Sequence, residues 1–219
     1  MLLFLRLCTS FGVWRFAVAA LLVAGSSYAA SANAQGIGYL SHTPSKDVQY
    51  AWSEIVTTND HHRLPFAIVD KKNAKLYVFN RAGQLQGAAP ALLGLTPGDV
   101  ETAQTLSATT EALGSAWRTT PAGRFVSEPG RNLTGEAIVW VDYTARLAIH
   151  RLRPAAAYER RPERLASSTP DDNRITLGCV VVEPAFFDTV VAPTLGTGYG
   201  VVYVLPENES LQRLHAAAH

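Results

Sequence analysis

Cysteine is scarce: the 219 residues hold two, Cys8 and Cys179, beside a single methionine. An excess of charge of one sign is also missing, since 19 basic residues stand against 18 acidic ones for a net charge of +1. A nucleic-acid binder carries a basic excess or a dense basic stripe, so the balance speaks against that class. No run of 18 or more apolar residues lies beyond the N-terminus, and no internal membrane span is expected. No fixed-period repeat is visible, which removes the solenoid architectures. The sequence does have apolar material: 47% hydrophobic against 17% charged is enough for a core and too much for a disordered chain. At ~150 residues per domain the length allows one large domain or two small ones.

The first 34 residues read as a targeting segment. Arg6 and Arg15 are the only charged residues before Lys46, and an apolar run follows over residues 16–24. Small residues then lead to Ala32-Asn33-Ala34. A basic start, a short apolar run and an A-x-A site describe a secretory signal peptide, with an uncleaved anchor as the alternative. Cleavage would take Cys8 and two arginines but no acid, leaving 17 basic against 18 acidic residues. Cys179 would then be a lone thiol in an oxidising compartment, where a free cysteine is a liability unless it is buried or used. A periplasmic or cell-envelope location follows as the expectation.

The rest of the chain reads as strands with two helices. Residues 35–64 form a lead-in with one amphipathic helix: Ser45 suits an N-cap, and Val48, Ala51, Trp52, Ile55 and Val56 fall at helical spacing. Two short apolar runs, 66–69 and 76–79, flank the polar loop 70–74 and predict a hairpin. Further strands are expected at 89–93, 123–127, 137–141, 147–150 and 200–205. Residues 96–116 read as a long loop or flap, and 184–191 as a short helix with Pro184 in its first turn. The expectation is a mainly β, sandwich-like domain over residues 65–206 with a few short helices, followed by a tail at 207–219.

Cys179 follows Gly178, which permits close backbone approach and a tight turn whose N–H groups can face a carbonyl oxygen. A cysteine nucleophile needs a base or a cation beside it. Of the six histidines, His42 lies in the lead-in, His215 and His219 in an Ala-rich tail, and His61 and His62 in a polar loop. Only His150 ends an apolar strand that could aim it. Adjacent His61 and His62 point to opposite faces of an extended chain, with no third ligand cluster near, so no metal site is expected.

Three elements together resemble the L,D-transpeptidase catalytic domain. Thr119-Thr120-Pro121-Ala122-Gly123-Arg124-Phe125 is similar to its T-P-x-G-x-F element. Ile149-His150 followed by Thr176-x-Gly178-Cys179 is similar to its His and Ser/Thr-His-Gly-Cys signature. The resemblance covers roughly residues 65–206. It implies acyl transfer from peptidoglycan stem peptides onto an amine, through a thioester on Cys179. His150 would be the general base and acid, with Gly178 in the motif turn and backbone N–H groups near Cys179 as the oxyanion hole. No metal or organic cofactor is implied.

The chain departs from this pattern in three places. The motif's second His is Leu177, and the polar residue two positions after the Cys is Val181. The gap from His150 to Cys179 is long and holds Arg151, Arg153, Arg160, Arg161 and Arg164 against Glu159 and Glu163. Those arginines could bind substrate carboxylates or form a solvated charged loop. Arg174 could touch substrate or pair with Asp171 or Asp172, and Thr176 is a second candidate substrate contact. Two rival readings stand beside the transferase: a non-catalytic peptidoglycan- or partner-binding member of the same fold, and an L,D-carboxypeptidase in which water replaces the amine. If His150 is the base, His61→Ala and His62→Ala should each leave turnover of a stem peptide within about twofold of wild type.

Overall fold

The structure is a computed structural model that describes residues 43–100 and 118–208. The expected signal segment 1–34, His42, residues 101–116 of the expected flap, and the tail from 209 onward with His215 and His219 lie outside the described residues.

A helix over Lys46–Thr58 opens the described chain. Its N-cap is Ser45, whose Oγ accepts from the Val48 N–H at 3.2 Å and donates to Asp70 Oδ2 at 2.7 Å. The cap therefore also fastens the helix to the first hairpin. That hairpin joins β1 (Phe66–Asp70) to β2 (Lys75–Phe79). Asp70 closes its loop by accepting from the Asn73 N–H at 3.1 Å and side-chain amide at 2.8 Å.

Seven more strands follow: β3 (Leu85–Gly94), β4 (Gly123–Arg131), β5 (Ala137–Asp142), β6 (Leu147–Arg151), β7 (Arg174–Thr176), β8 (Val180–Val182) and β9 (Gly200–Val204). The fold is mostly β with short helices, as expected. The order β2-β1-β9-β4-β5-β6-β8-β3 returns to its start through a β2–β3 pairing, so eight strands close into a barrel-like ring with β7 attached to β3. Closure removes the free edges that an open sheet must protect. The β1–β9, β6–β8 and β3–β7 pairs are parallel and the other pairs antiparallel.

Ala67, Val78, Val139, Ile149, Val180 and Val202 belong to the ring's inner core. A helical run closes it, passing from Pro184–Phe186 through a π-helical turn at Phe187–Val191 to Ala192–Leu195. Phe186, Phe187, Val190, Val191 and Leu195 enter the core from this run, each worth roughly 1.5–3 kcal/mol when fully buried. The opening helix covers a second cluster on the outer face, where Val48, Ala51 and Ile55 meet Phe66, Ile68, Tyr77 and Val201. Strands covered on both faces need apolar side chains on both, which explains the unbroken runs in β1, β2 and β9.

An ionic cluster fastens the barrel beside β7. The Lys71 ammonium is fully buried, donating to Asp99 Oδ1 at 2.8 Å and to the Gly98 and Thr120 carbonyls. Burial pushes its pKa below the usual lysine value, while Asp99 and Glu207 pull it back. Arg174 Nη2 completes the cluster, donating to Glu207 at 2.5 Å and to the Lys71 carbonyl at 3.0 Å. Breaking such a buried network by removing one partner strands the other charge.

The Thr120 hydroxyl joins three segments. It is fully buried, accepts from the Gly94 N–H at 2.9 Å and donates to the Gly178 carbonyl at 2.7 Å. Thr120→Val keeps the shape but leaves that amide and that carbonyl unpaired, at about 1–3 kcal/mol each. Urea denaturation should show a loss of about 2 kcal/mol or more for Thr120→Val, and clearly less for Thr120→Ser.

Candidate active site

The turn before Cys179 is built from its own neighbours. Thr176 Oγ1 accepts from the Gly178 N–H at 3.1 Å and donates to the Cys179 carbonyl at 2.7 Å. Gly178 has φ +123°, in the region that L side chains avoid, and a Cβ there would lie 2.9 Å from the Thr119 carbonyl. Glycine is required twice over at this position. Thr176, expected to touch substrate, is buried with its hydroxyl committed to the turn, so it positions the cysteine. Gly178 does the same, and its N–H is already taken.

Strand pairing brings His150 and Cys179 to one face. β6 runs parallel to β8, with Ile149 opposite Val180 and His150 opposite Val181. Ile149 and Val180 both enter the inner core, so Ala148, His150, Cys179 and Val181 lie on the outer face by alternation. Val181 sits there in a small cluster with Leu92 and Leu165, against which Cys179, Leu152 and Ile175 pack. This accounts for an apolar residue where the resembled motif has a polar one: the position is buried.

The two side chains do not hydrogen-bond to each other. His150 Nδ1 lies 2.8 Å from the Arg151 carbonyl. A carbonyl only accepts, so Nδ1 carries the proton and Nε2 is the basic nitrogen. The half-buried Cys179 thiol donates to the Arg146 carbonyl at 3.5 Å. Burial pushes the thiol above its usual value of 9.0, against the Ala148 N–H and the Arg153 charge, which favour thiolate. Burial also holds His150 below its usual 6.5; the Arg151 carbonyl opposes this, and the charges of Arg153 and Arg161 add to it against Glu136. Both shifts favour a thiol and a neutral imidazole over a thiolate–imidazolium pair.

Arg174 lies away from the thiol. Its ion pair is with Glu207, not with Asp171 or Asp172, which a partner 33 residues distant hides from a local reading. The Arg-rich segment is only partly a loop. It forms a short helix at Arg161–Ala166, with Arg164 donating to the Glu159 and Asp172 carbonyls, and Leu165 seats it against Leu92 and Val181. Arg153, paired with Glu136 at 2.8 Å, is the member of that segment whose charge reaches both His150 and Cys179. Leu177 is 41% exposed beside the turn. His61 is a core residue, tilted on Phe66 with ring centroids 5.0 Å apart. Among the described residues no group of three or more His, Cys, Asp or Glu is placed to hold a metal, and no helix is long and apolar enough to cross a membrane.

No protein-family model matches the chain, and no curated protein does. Among solved structures it is similar to an L,D-transpeptidase from Mycobacterium smegmatis, at 16% identity over 64% of this chain and 58% of that one, with a TM-score of 0.33. It is similar to the catalytic domain of an E. faecium L,D-transpeptidase at 17% identity, over 64% of this chain and 96% of that one, with a TM-score of 0.34. A helical cell shape determining protein from Campylobacter jejuni matches at 12% identity over 80% of this chain and 62% of that one, with a TM-score of 0.41. The chain thus spans less than two thirds of the Mycobacterium smegmatis and Campylobacter jejuni chains.

Two titrations check the resting state. Alkylation of Cys179 by iodoacetamide should rise with pH to a midpoint above 9.0, whereas a midpoint near 7 would indicate a preformed ion pair. Below pH 6.5 the folded state, holding a neutral His150, binds fewer protons than the unfolded chain, so stability should fall as pH drops. Urea denaturation at pH 7 and pH 5 should show that part of the fall disappearing in His150→Gln.

Proposed function

We propose that this protein is an exported cysteine acyltransferase acting on peptidoglycan stem peptides. The observation that carries the reading is the parallel β6–β8 register, which sets the histidine and the cysteine on one face of a rigid sheet. The resemblance of the flanking residues to the L,D-transpeptidase signature supplies the substrate class.

The chemistry follows from the resting state. Cys179 Sγ attacks the peptide carbonyl as His150 Nε2 takes the thiol proton, forming the tetrahedral species. Since Gly178 N–H is bonded to Thr176, the oxyanion donor at this turn would be the Cys179 amide. His150, now protonated, gives its proton to the leaving amine, and the C–N bond breaks to leave a thioester on Cys179. The neutral imidazole then accepts a proton from the incoming amine as that nitrogen attacks, and the thiol regains its proton as the C–S bond breaks. Water in place of the amine gives the carboxypeptidase outcome through the same thioester. Leu177 does not enter these steps, because the missing second His is not the proposed base.

Three measurements test this reading. His150→Ala should cost ~10²-fold or more in acylation rate while leaving the fold intact. Because burial favours the unprotonated His150 to below pH 6.5, the acid limb of kcat/KM should lie below that value. Arg153→Gln removes a charge that depresses the His150 pKa, so the acid limb should move up. An acid limb indifferent to both substitutions would remove His150 from the mechanism. Absence of turnover with peptidoglycan binding intact would instead favour the non-catalytic reading.

A further inference from the structure

An aromatic cleft lies on the same outer face, across β4 and β5. It has a volume of about 480 Å³, within the ~300–1,000 Å³ of ligand clefts. Trp140, Tyr143, Tyr199 and Val126 supply its apolar lining, and Arg124, Glu128 and Asp142 its charges. Tyr143, Tyr199 and Val126 are 72%, 62% and 57% exposed, so three of the large hydrophobic side chains left open to solvent gather in one place.

Trp140 is fixed as a floor. Its indole lies against the Cα of Gly130, where any Cβ would overlap the ring. The missing side chain lets the ring lie close on the sheet, and Tyr143 flanks it with ring centroids 4.8 Å apart, tilted by 54°. Glu128 stands directly across from Trp140 on β4. Its carboxylate makes no hydrogen bond or ion pair among the described residues. Asp142 uses only Oδ1, on the Thr144 and Ala145 amides. Arg124 is held by Asp60, through Nε at 2.7 Å and Nη2 at 2.8 Å. The cleft therefore offers ring faces and free carboxylate oxygens, with its one cation already paired.

We infer that this cleft binds a neutral pyranose glycan, the sugar strand that carries the peptide acylating Cys179. A pyranose ring presents C–H bonds on its faces, which stack on aromatic rings, and hydroxyl donors at its rim, which suit unpaired carboxylates. Two carboxylates at the rim repel an acidic polymer. A protein partner fits poorly, because the core of a protein interface is depleted of charge and covering unpaired carboxylates is costly. The cleft also lies near the thiol in the sheet. Trp140 pairs with Ala148, and Ala148 is the residue whose N–H faces Cys179. Two strand steps separate Trp140 from the cysteine, about 10 Å. A peptide branch of three extended residues spans that distance.

The inference deepens the acyl-transfer reading and rests on it for the identity of the strand. Its test needs no acyl donor. A β-1,4-linked N-acetylglucosamine tetramer without peptide is titrated into the full-length protein, followed by calorimetry and tryptophan fluorescence. Saturable binding is expected, weakened up to about tenfold in Tyr143→Ser, as loss of a stacking ring implies. Glu128→Gln should also weaken it, and Tyr158→Ser, at an exposed tyrosine outside the cleft, should leave it unchanged. Tyr143 and Glu128 are exposed, so circular dichroism should show both variants folded. No saturable binding by folded wild type, or equal loss in Tyr158→Ser and Tyr143→Ser, would overturn the assignment. An inert thiol together with tetramer binding would sink the acyl-transfer reading and leave this one standing.

Discussion

The hydroxyl of Thr120 fixes the geometry on which the candidate site depends. One buried oxygen joins the end of β3, through the Gly94 amide, to the cysteine turn, through the Gly178 carbonyl. Both partners are glycines because the 118–120 segment presses on them. A Cβ at Gly94 would lie 2.5 Å from the Arg118 carbonyl, and one at Gly178 would lie 2.9 Å from that of Thr119. The Lys71 ammonium holds the same segment from behind through the Thr120 carbonyl. The T-P-x-G-x-F element thus acts here as a clamp that sets where the Cys179 turn stands, with no atom of its own in the proposed chemistry.

Burial decides the electrostatics of the site. It raises the Cys179 pKa and lowers that of His150, so both groups rest uncharged. The opposing influences are modest and specific: a backbone N–H from Ala148 and the Arg153 charge on the thiol, and the Arg151 carbonyl on the imidazole. In the proposed reaction, a neutral pair would make proton removal by His150 concerted with attack. It also keeps the Cys179 thiol from standing as a reactive thiolate, which answers the liability raised by the sequence.

Local signals made much of the fold legible. Ser45 as N-cap, the Asp70 loop and the unbroken apolar runs of β1, β2 and β9 each follow from short-range chemistry. β7 and β8 did not announce themselves, since each has three residues and becomes a strand by pairing with β3 and β6. The parallel β1–β9 pairing, the Arg174–Glu207 pair and the Ala148 amide share that character. Two of them join parts distant in sequence, and the third is a backbone group that no residue type reports. His150 and Cys179 were legible as residues, while their resting charge depended on burial that only the fold supplies.

The proposed function turns on Cys179 being an acyl acceptor served by His150. The most direct test is intact-protein mass spectrometry after incubation with a carbapenem, whose strained lactam carbonyl acylates an activated thiol. One adduct is expected, mapped to Cys179 by peptide digestion and formed at least ~10²-fold more slowly in His150→Ala. An unmodified Cys179 in folded protein, or adduct formation at the same rate without His150, would contradict it.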